Sequence, residues 1–192
     1  MRAKRTLTEQ ARRSQIVAAA IEVIAAHGSA QASFKAIAEQ AGLSSTGLIS
    51  YHFANRQELI AEVGRHILET FGAFVLDRTQ GVEEPVAVLQ ALAEANVAFL
   101  RTHRAHAAAL LRIKQDAAIA ELARSDQDRL ADVLRLGQQT GVLREFDPHL
   151  VAVYILSIRD GIIRQLDLEP DLDLDAAARE FATLVDRATR KA

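Results

Sequence analysis

The sequence predicts an all-α fold. It reads as an N-terminal head of three helices, the last two short and joined by a tight turn, connected by a long helix to a C-terminal helical body. Three observations carry this. There are only 3 prolines in 192 residues, and Ala and Leu, which lose little freedom on entering a helix, are plentiful. Apolar residues recur at helical spacing through most of the chain. Gly28, Gly42, Pro85, Gly141 and Asp147-Pro148 stand where helices should stop or start. Apolar residues make up 49%, enough to build a core in one domain or two small ones.

Residues 1–9 are polar and basic and are expected to be mobile in the free protein. Arg2, Lys4 and Arg5 could follow a polyanion or form a solvated tail, and both readings stay open. A helix is predicted from Glu9 to His27, with Ile16, Ala19, Ala20, Val23 and Ile24 as its buried stripe and Gly28 ending it. Arg12 and Arg13 fall on its early exposed face. Phe34, Ile37, Ala38 and Ala41 then form one apolar face of a short helix capped by Ser33. Gly42 follows where a left-handed C-terminal residue is needed. Ser44 or Ser45 caps a second short helix running to about Phe53. Two short helices joined by about four residues form a helix-turn-helix.

The second short helix has an unusual outward face. Ser45, Thr46, Gly47 and Ser50 are small or hydrogen-bonding, Tyr51 and His52 add polar rings, and Leu48, Ile49 and Phe53 can hold the core. A helix entering a major groove needs small residues where its backbone approaches, and polar groups that reach phosphates and base edges.

Ala41-Gly42-Leu43-Ser44, Gly47, Tyr51-His52-Phe53 and Arg56-Gln57-Glu58-Leu59-Ile60 together resemble the TetR/AcrR family of repressors. The family's typical text is Ala-Gly-Val-Ser, a glycine, an aromatic Tyr/His cluster ending in Phe, then Lys-x-x-Leu. Lys35-Ala36-Ile37-Ala38 is similar to its Arg-Asp-Ile-Ala. The resemblance covers residues 10–62 and is specific as a set. There are departures: one residue more lies between Gly42 and Gly47, Ser50 stands where many members have tyrosine, and Arg56 where they have lysine. The resemblance implies a homodimer whose recognition helices enter successive major grooves about 34–36 Å apart. It implies DNA contacts at Lys35, Ser44, Ser45, Thr46, Gly47, Ser50, Tyr51, His52 and Arg56. Of these, Lys35, Tyr51, His52 and Arg56 would mostly meet phosphates, and Ser45, Thr46, Gly47 and Ser50 base edges. For Tyr51 and Phe53 the competing role is core packing.

A long helix is predicted from Asn55, its N-cap, to Asp77 or Arg78, with Glu58 three residues on as in a capping box. Leu59, Ile60, Val63, Ile67, Phe71, Phe74 and Val75 make its apolar side. Gly64 and Gly72 weaken it and suggest close packing. The division expected is a DNA-binding head at 1–56 and an effector-binding and dimerisation domain at 57–192. Residues 79–85 are a loop with Pro85 at the first helical position. Further helices are predicted at 85–102, 103–114 and 117–139, the last stopped by Gly141. Helix 148–166 is apolar nearly all round, and an amphipathic helix closes the chain at 175–190. Leu156-Ser157-Ile158-Arg159-Asp160-Gly161 resembles a stretch of the family's penultimate helix. The resemblance implies that 148–166 and 175–190 form a four-helix interface with their mates.

Charge is divided. Residues 1–56 carry seven basic and three acidic side chains, a net of +4, leaving −6 on the rest of a chain whose total is −2. A small basic head suits local phosphate contact without indiscriminate binding. There are no cysteines, which excludes disulfides and thiolate metal sites. No secretion signal or apolar run long enough to span a bilayer is legible, so a cytoplasmic location is expected.

No nucleophile elbow, phosphate-binding glycine loop or dinucleotide fingerprint is present, so no enzyme and no cofactor are expected. His103 and His106 have metal-like spacing but lack a third ligand, and no metal is expected. An effector pocket is expected in the body, where polar groups interrupt apolar stretches. Its candidate residues are Phe74, Asn96, Phe99, His103, Arg112, Tyr154 and Arg159, with His106 and Asp160 nearby. For Arg159 the competing role is an ion pair across the dimer interface. The sequence therefore reads as a ligand-responsive DNA-binding regulator, a repressor released from a near-palindromic operator by a small effector. Two alternatives stay open: a DNA-binding protein of this fold with no effector, and a helical carrier or enzyme.

Overall fold

The computed structural model of the chain describes residues 7–116 and 119–191. Among these, nine α-helices and one short 3-10 turn, Ser29–Gln31, make up the fold. They are α1 (Leu7–His27), α2 (Phe34–Gln40), α3 (Gly47–His52), α4 (Arg56–Thr79), α5 (Pro85–Thr102), α6 (Arg104–Ile113), α7 (Ala120–Gln139), α8 (Pro148–Leu168) and α9 (Leu174–Thr189). Each predicted helix has a counterpart. Arg2, Lys4 and Arg5, and positions 117 and 118 of the predicted seventh helix, lie outside the described residues.

The chain divides into two compact units: residues up to Leu68 with Ala105–Ala120, and Glu69–Arg104 with Glu121–Ala192. The sequence expectation put its boundary at 56/57, the start of α4. The unit boundary falls at 68/69 because the first turns of α4 bury Leu59, Ile60, Val63 and Ile67 completely.

The first unit is built around Ile16, Ile21, Ile24, Ile37, Ile49, Phe53, Leu59, Ile60 and Ile67, all essentially inaccessible. Ser33 caps α2 by accepting from the Ala36 amide at 3.2 Å. α2 ends in a Schellman turn: the Gly42 amide donates to Glu39 and the Leu43 amide to Ala38. Gly42 sits at φ +64°, the left-handed region a side chain would strain. Asn55 caps α4 through the Glu58 amide at 2.9 Å, while the Glu58 carboxylate accepts from the Ala54 amide at 2.8 Å. Gly64 is a close approach: a Cβ there would lie 2.6 Å from Ile119 Cγ2. Gly72 has open space around it, so close packing does not account for it.

The second unit gathers Leu89, Ala93 and Val97 of α5 with Ala131, Leu134, Leu143, Ala152, Phe181 and Val185 into one core. Its helices start on acidic caps. The side chains of Glu84, Asp147 and Asp173 each accept two backbone amides at the heads of α5, α8 and α9. The Ala176 amide is the largest influence holding the Asp173 carboxyl below its usual range. Arg104 donates to the Leu166 carbonyl at the C-terminal end of α8.

Candidate nucleic-acid interface

The candidate surface is the outer side of α2 and α3. Lys35, Ser44, Ser45, Thr46, Gly47, Ser50 and Tyr51 are all exposed, while Ile49 and Phe53 are buried beneath them. Burying those two side chains fixes the roll of α3, and the roll decides which residues face solvent. α3 starts later than expected. Neither Ser44 nor Ser45 caps it; Thr46 precedes Gly47 in right-handed helical geometry with no side-chain cap. The Ser50 hydroxyl instead bonds back to the Thr46 carbonyl at 3.4 Å. Leu48 was expected to hold the core but is 37% exposed, on the same outward side.

Tyr51 is 72% exposed and takes no core role. Its hydroxyl donates to Glu9 Oε1 at 3.2 Å, and its ring meets His52 edge-on with centroids 5.1 Å apart. His52 is half-buried. Arg56 is partly buried and turned inward, donating to the Ser29 carbonyl. It anchors the turn after α1, and in this conformation its guanidinium is committed there.

A network missed in the sequence holds the layer under this surface. Arg13 was expected on an exposed face, but its side chain is only 12% exposed. It donates to the His52 carbonyl at 2.7 Å, pairs with Glu62 at 3.2 Å, and lies 4.1 Å over the Phe53 ring. One guanidinium thus ties α1 to the end of α3 and to α4. Burial pushes the Glu62 carboxyl up, but hydrogen bonds from Arg65 and Arg13, and their charges, outweigh it and hold it at about 2. The aromatic pattern of Phe53 and the acid at 62 were visible, but not a pairing across 49 residues.

The expected effector residues are distributed. Phe74, Phe99 and His103 meet in the second unit: Phe99 and His103 stack with centroids 4.4 Å apart, and Phe74 stands edge-on to Phe99 at 5.2 Å. Phe71 joins them edge-on to Phe99, and Arg78 lies 3.5 Å over Phe74. Asn96, one turn before Phe99, donates to the Leu92 carbonyl at 2.7 Å, while its buried Oδ1 has no donor among the described residues. Arg112 belongs to the first unit and donates to the Ala25 carbonyl near the end of α1. Tyr154 is exposed on α8. Arg159 pairs within the chain, with Asp126 at 3.1 Å and Asp160 at 3.5 Å. The His106 ring faces His66 at 6.0 Å rather than His103.

The family model of bacterial regulatory proteins of the tetR family matches residues 16–63, from the α1 stripe through the start of α4. The chain is 37% identical over 87 residues to the HTH-type transcriptional regulator BetI of Ectopseudomonas mendocina. That alignment covers 44% of either protein, so less than half of this relative's length is matched. A transcriptional regulator from Saccharomonospora viridis in complex with choline superposes with a TM-score of 0.78 at 20% identity, over 95% of this chain and all of that one. AibR in complex with isovaleryl coenzyme A and operator DNA gives 0.79 at 20% identity, over 91% and 97%. At such identity these two likenesses establish the fold alone. The family pattern runs through the residues that build the helix-turn-helix, so the head of the chain is similar to that of the tetR family of bacterial regulatory proteins.

Proposed function

We propose that the chain is a ligand-responsive DNA-binding transcriptional regulator, a repressor that binds a near-palindromic operator as a homodimer and leaves it when a small effector binds. The observation that carries the reading is the exposed strip Lys35, Ser44–Gly47, Ser50 and Tyr51, presented by a helix whose inner face is locked by Ile49 and Phe53. In this reading Ser44, Ser45, Thr46, Gly47 and Ser50 meet base edges and the adjoining backbone, and Lys35, Tyr51 and His52 meet phosphates. Arg56 joins them either through N–H groups not bonded to Ser29 or by giving up that bond.

The dimer reading is supported by large apolar side chains left exposed on the last two helices: Leu150, Val153 and Tyr154 on α8 and Leu184 on α9. The effector reading is supported by the Phe71, Phe74, Phe99 and His103 cluster, and by the buried Asn96 Oδ1, which has no hydrogen-bond partner among the described residues. A buried acceptor left unpaired favours a ligand that brings a donor. The likeness in fold to regulators bound to choline and to isovaleryl coenzyme A makes those two compounds the first to try. An effector can move the protein off DNA only by as much as it prefers the unbound state.

Selection of bound genomic fragments by the purified protein, followed by footprinting, tests the reading. A protected near-palindrome is the expected result. No enrichment at low salt would remove the DNA-binding function.

A further inference from the structure

We propose that Glu9 is a brake on duplex binding that acts through the Tyr51 hydroxyl; the proposal rests on the reading of Tyr51 as a phosphate contact. The hydroxyl donates to Glu9 Oε1 at 3.2 Å across 42 residues of sequence, linking the first turn of α1 to α3. Tyr51 is 72% exposed, so this bond and the edge contact with His52 fix the ring rather than core packing.

A phenol has one proton to donate. While Glu9 accepts it, a phosphate oxygen cannot. Engagement of Tyr51 therefore requires the Glu9 bond to break first. That exchange lowers the affinity of the head for any duplex, matched or not, because the phosphate carries no sequence information.

Glu9 has a competing structural role, since an acid in the first turn of a helix is favoured by the helix dipole. The test separates the two. Duplex affinity is measured by fluorescence anisotropy on the selected fragment, for Glu9→Ala, Glu9→Gln, Tyr51→Phe and the Glu9→Ala/Tyr51→Phe pair, with thermal melts of each. Glu9→Ala is expected to tighten binding by roughly three- to tenfold at low salt, about the weight of one charge-assisted hydrogen bond. In the Tyr51→Phe background the same change should alter affinity by less than about twofold. Glu9→Gln keeps an acceptor without the charge and guards against a variant that simply unfolds. It should melt like the parent and bind with intermediate strength.

Unchanged or weakened binding by Glu9→Ala and Glu9→Gln overturns the proposal. Equal tightening with and without the Tyr51 hydroxyl also overturns it, and leaves only through-space repulsion. Failure of the DNA reading would look different: the parent protein itself would not bind the fragment.

Discussion

Arg13 decides how firmly the head holds its shape. It touches the backbone at the end of α3, a carboxylate on α4 and the face of Phe53 at once. Its partner Glu62, held at about 2, contributes stability that is fully present above the carboxylate's usual 4.5 and is lost as pH falls toward 2. The contribution is about 1–2 kcal/mol once screening at the exposed Arg65 side is allowed for. Glu62→Gln should therefore lower the melting temperature at pH 7 and flatten its decline between pH 4.5 and 3, both read by circular dichroism. A mutant whose acid sensitivity matches the parent's would show that Glu62 is not the group responsible. None of this was legible in the sequence, where Arg13 sits on a polar stretch of α1. Periodicity assigns a residue to a face but cannot see a partner 49 residues away. The exposed strip was easier to read. Small and polar residues between Ile49 and Phe53 leave only one way for α3 to bury its apolar side.

At the scale of elements, the caps and stops were legible where they depend on residues a few positions apart. Ser33, Gly42, Asn55 with Glu58, and Pro85 all stand where the sequence placed them. α3 was misjudged because it begins without a side-chain cap, so the serines before it gave a false start signal. Gly64 and Gly72 looked alike in the sequence and differ in three dimensions. Gly64→Ala should destabilise the protein by about 1–3 kcal/mol, since the new methyl meets Ile119. Gly72→Ala should stabilise it by about 0.5–1 kcal/mol, because it removes backbone freedom in open space. Urea unfolding of both variants checks the pair, and effects of the same sign would contradict it.

At the scale of the molecule, the near-uniform apolarity of the penultimate helix resolves into two faces. Ala152, Ile163 and Leu166 are buried in the chain, while Leu150, Val153 and Tyr154 are not. Ile155 and Ile162 pack against the chain's own core, so charges there would damage the monomer. Val153→Glu with Leu184→Glu is the cleaner probe of assembly. We expect a folded monomer by light scattering, with operator affinity reduced at least about tenfold as bivalent binding is lost. A dimer of unchanged mass would place the interface elsewhere. Operator sequence and effector identity were not legible, because both depend on matching a partner that leaves no trace in the chain's own periodicity.

The most direct test of the central claim is the salt dependence of affinity for the selected operator, for the parent and for Tyr51→Ala/His52→Ala. Log affinity should fall linearly with log salt, with several phosphates engaged. The double variant, still dimeric, should bind at least about tenfold more weakly with a similar slope, because the lysines and arginines that release counterions remain. Equal affinity for the two proteins would contradict the assignment of α3 as the DNA-facing helix.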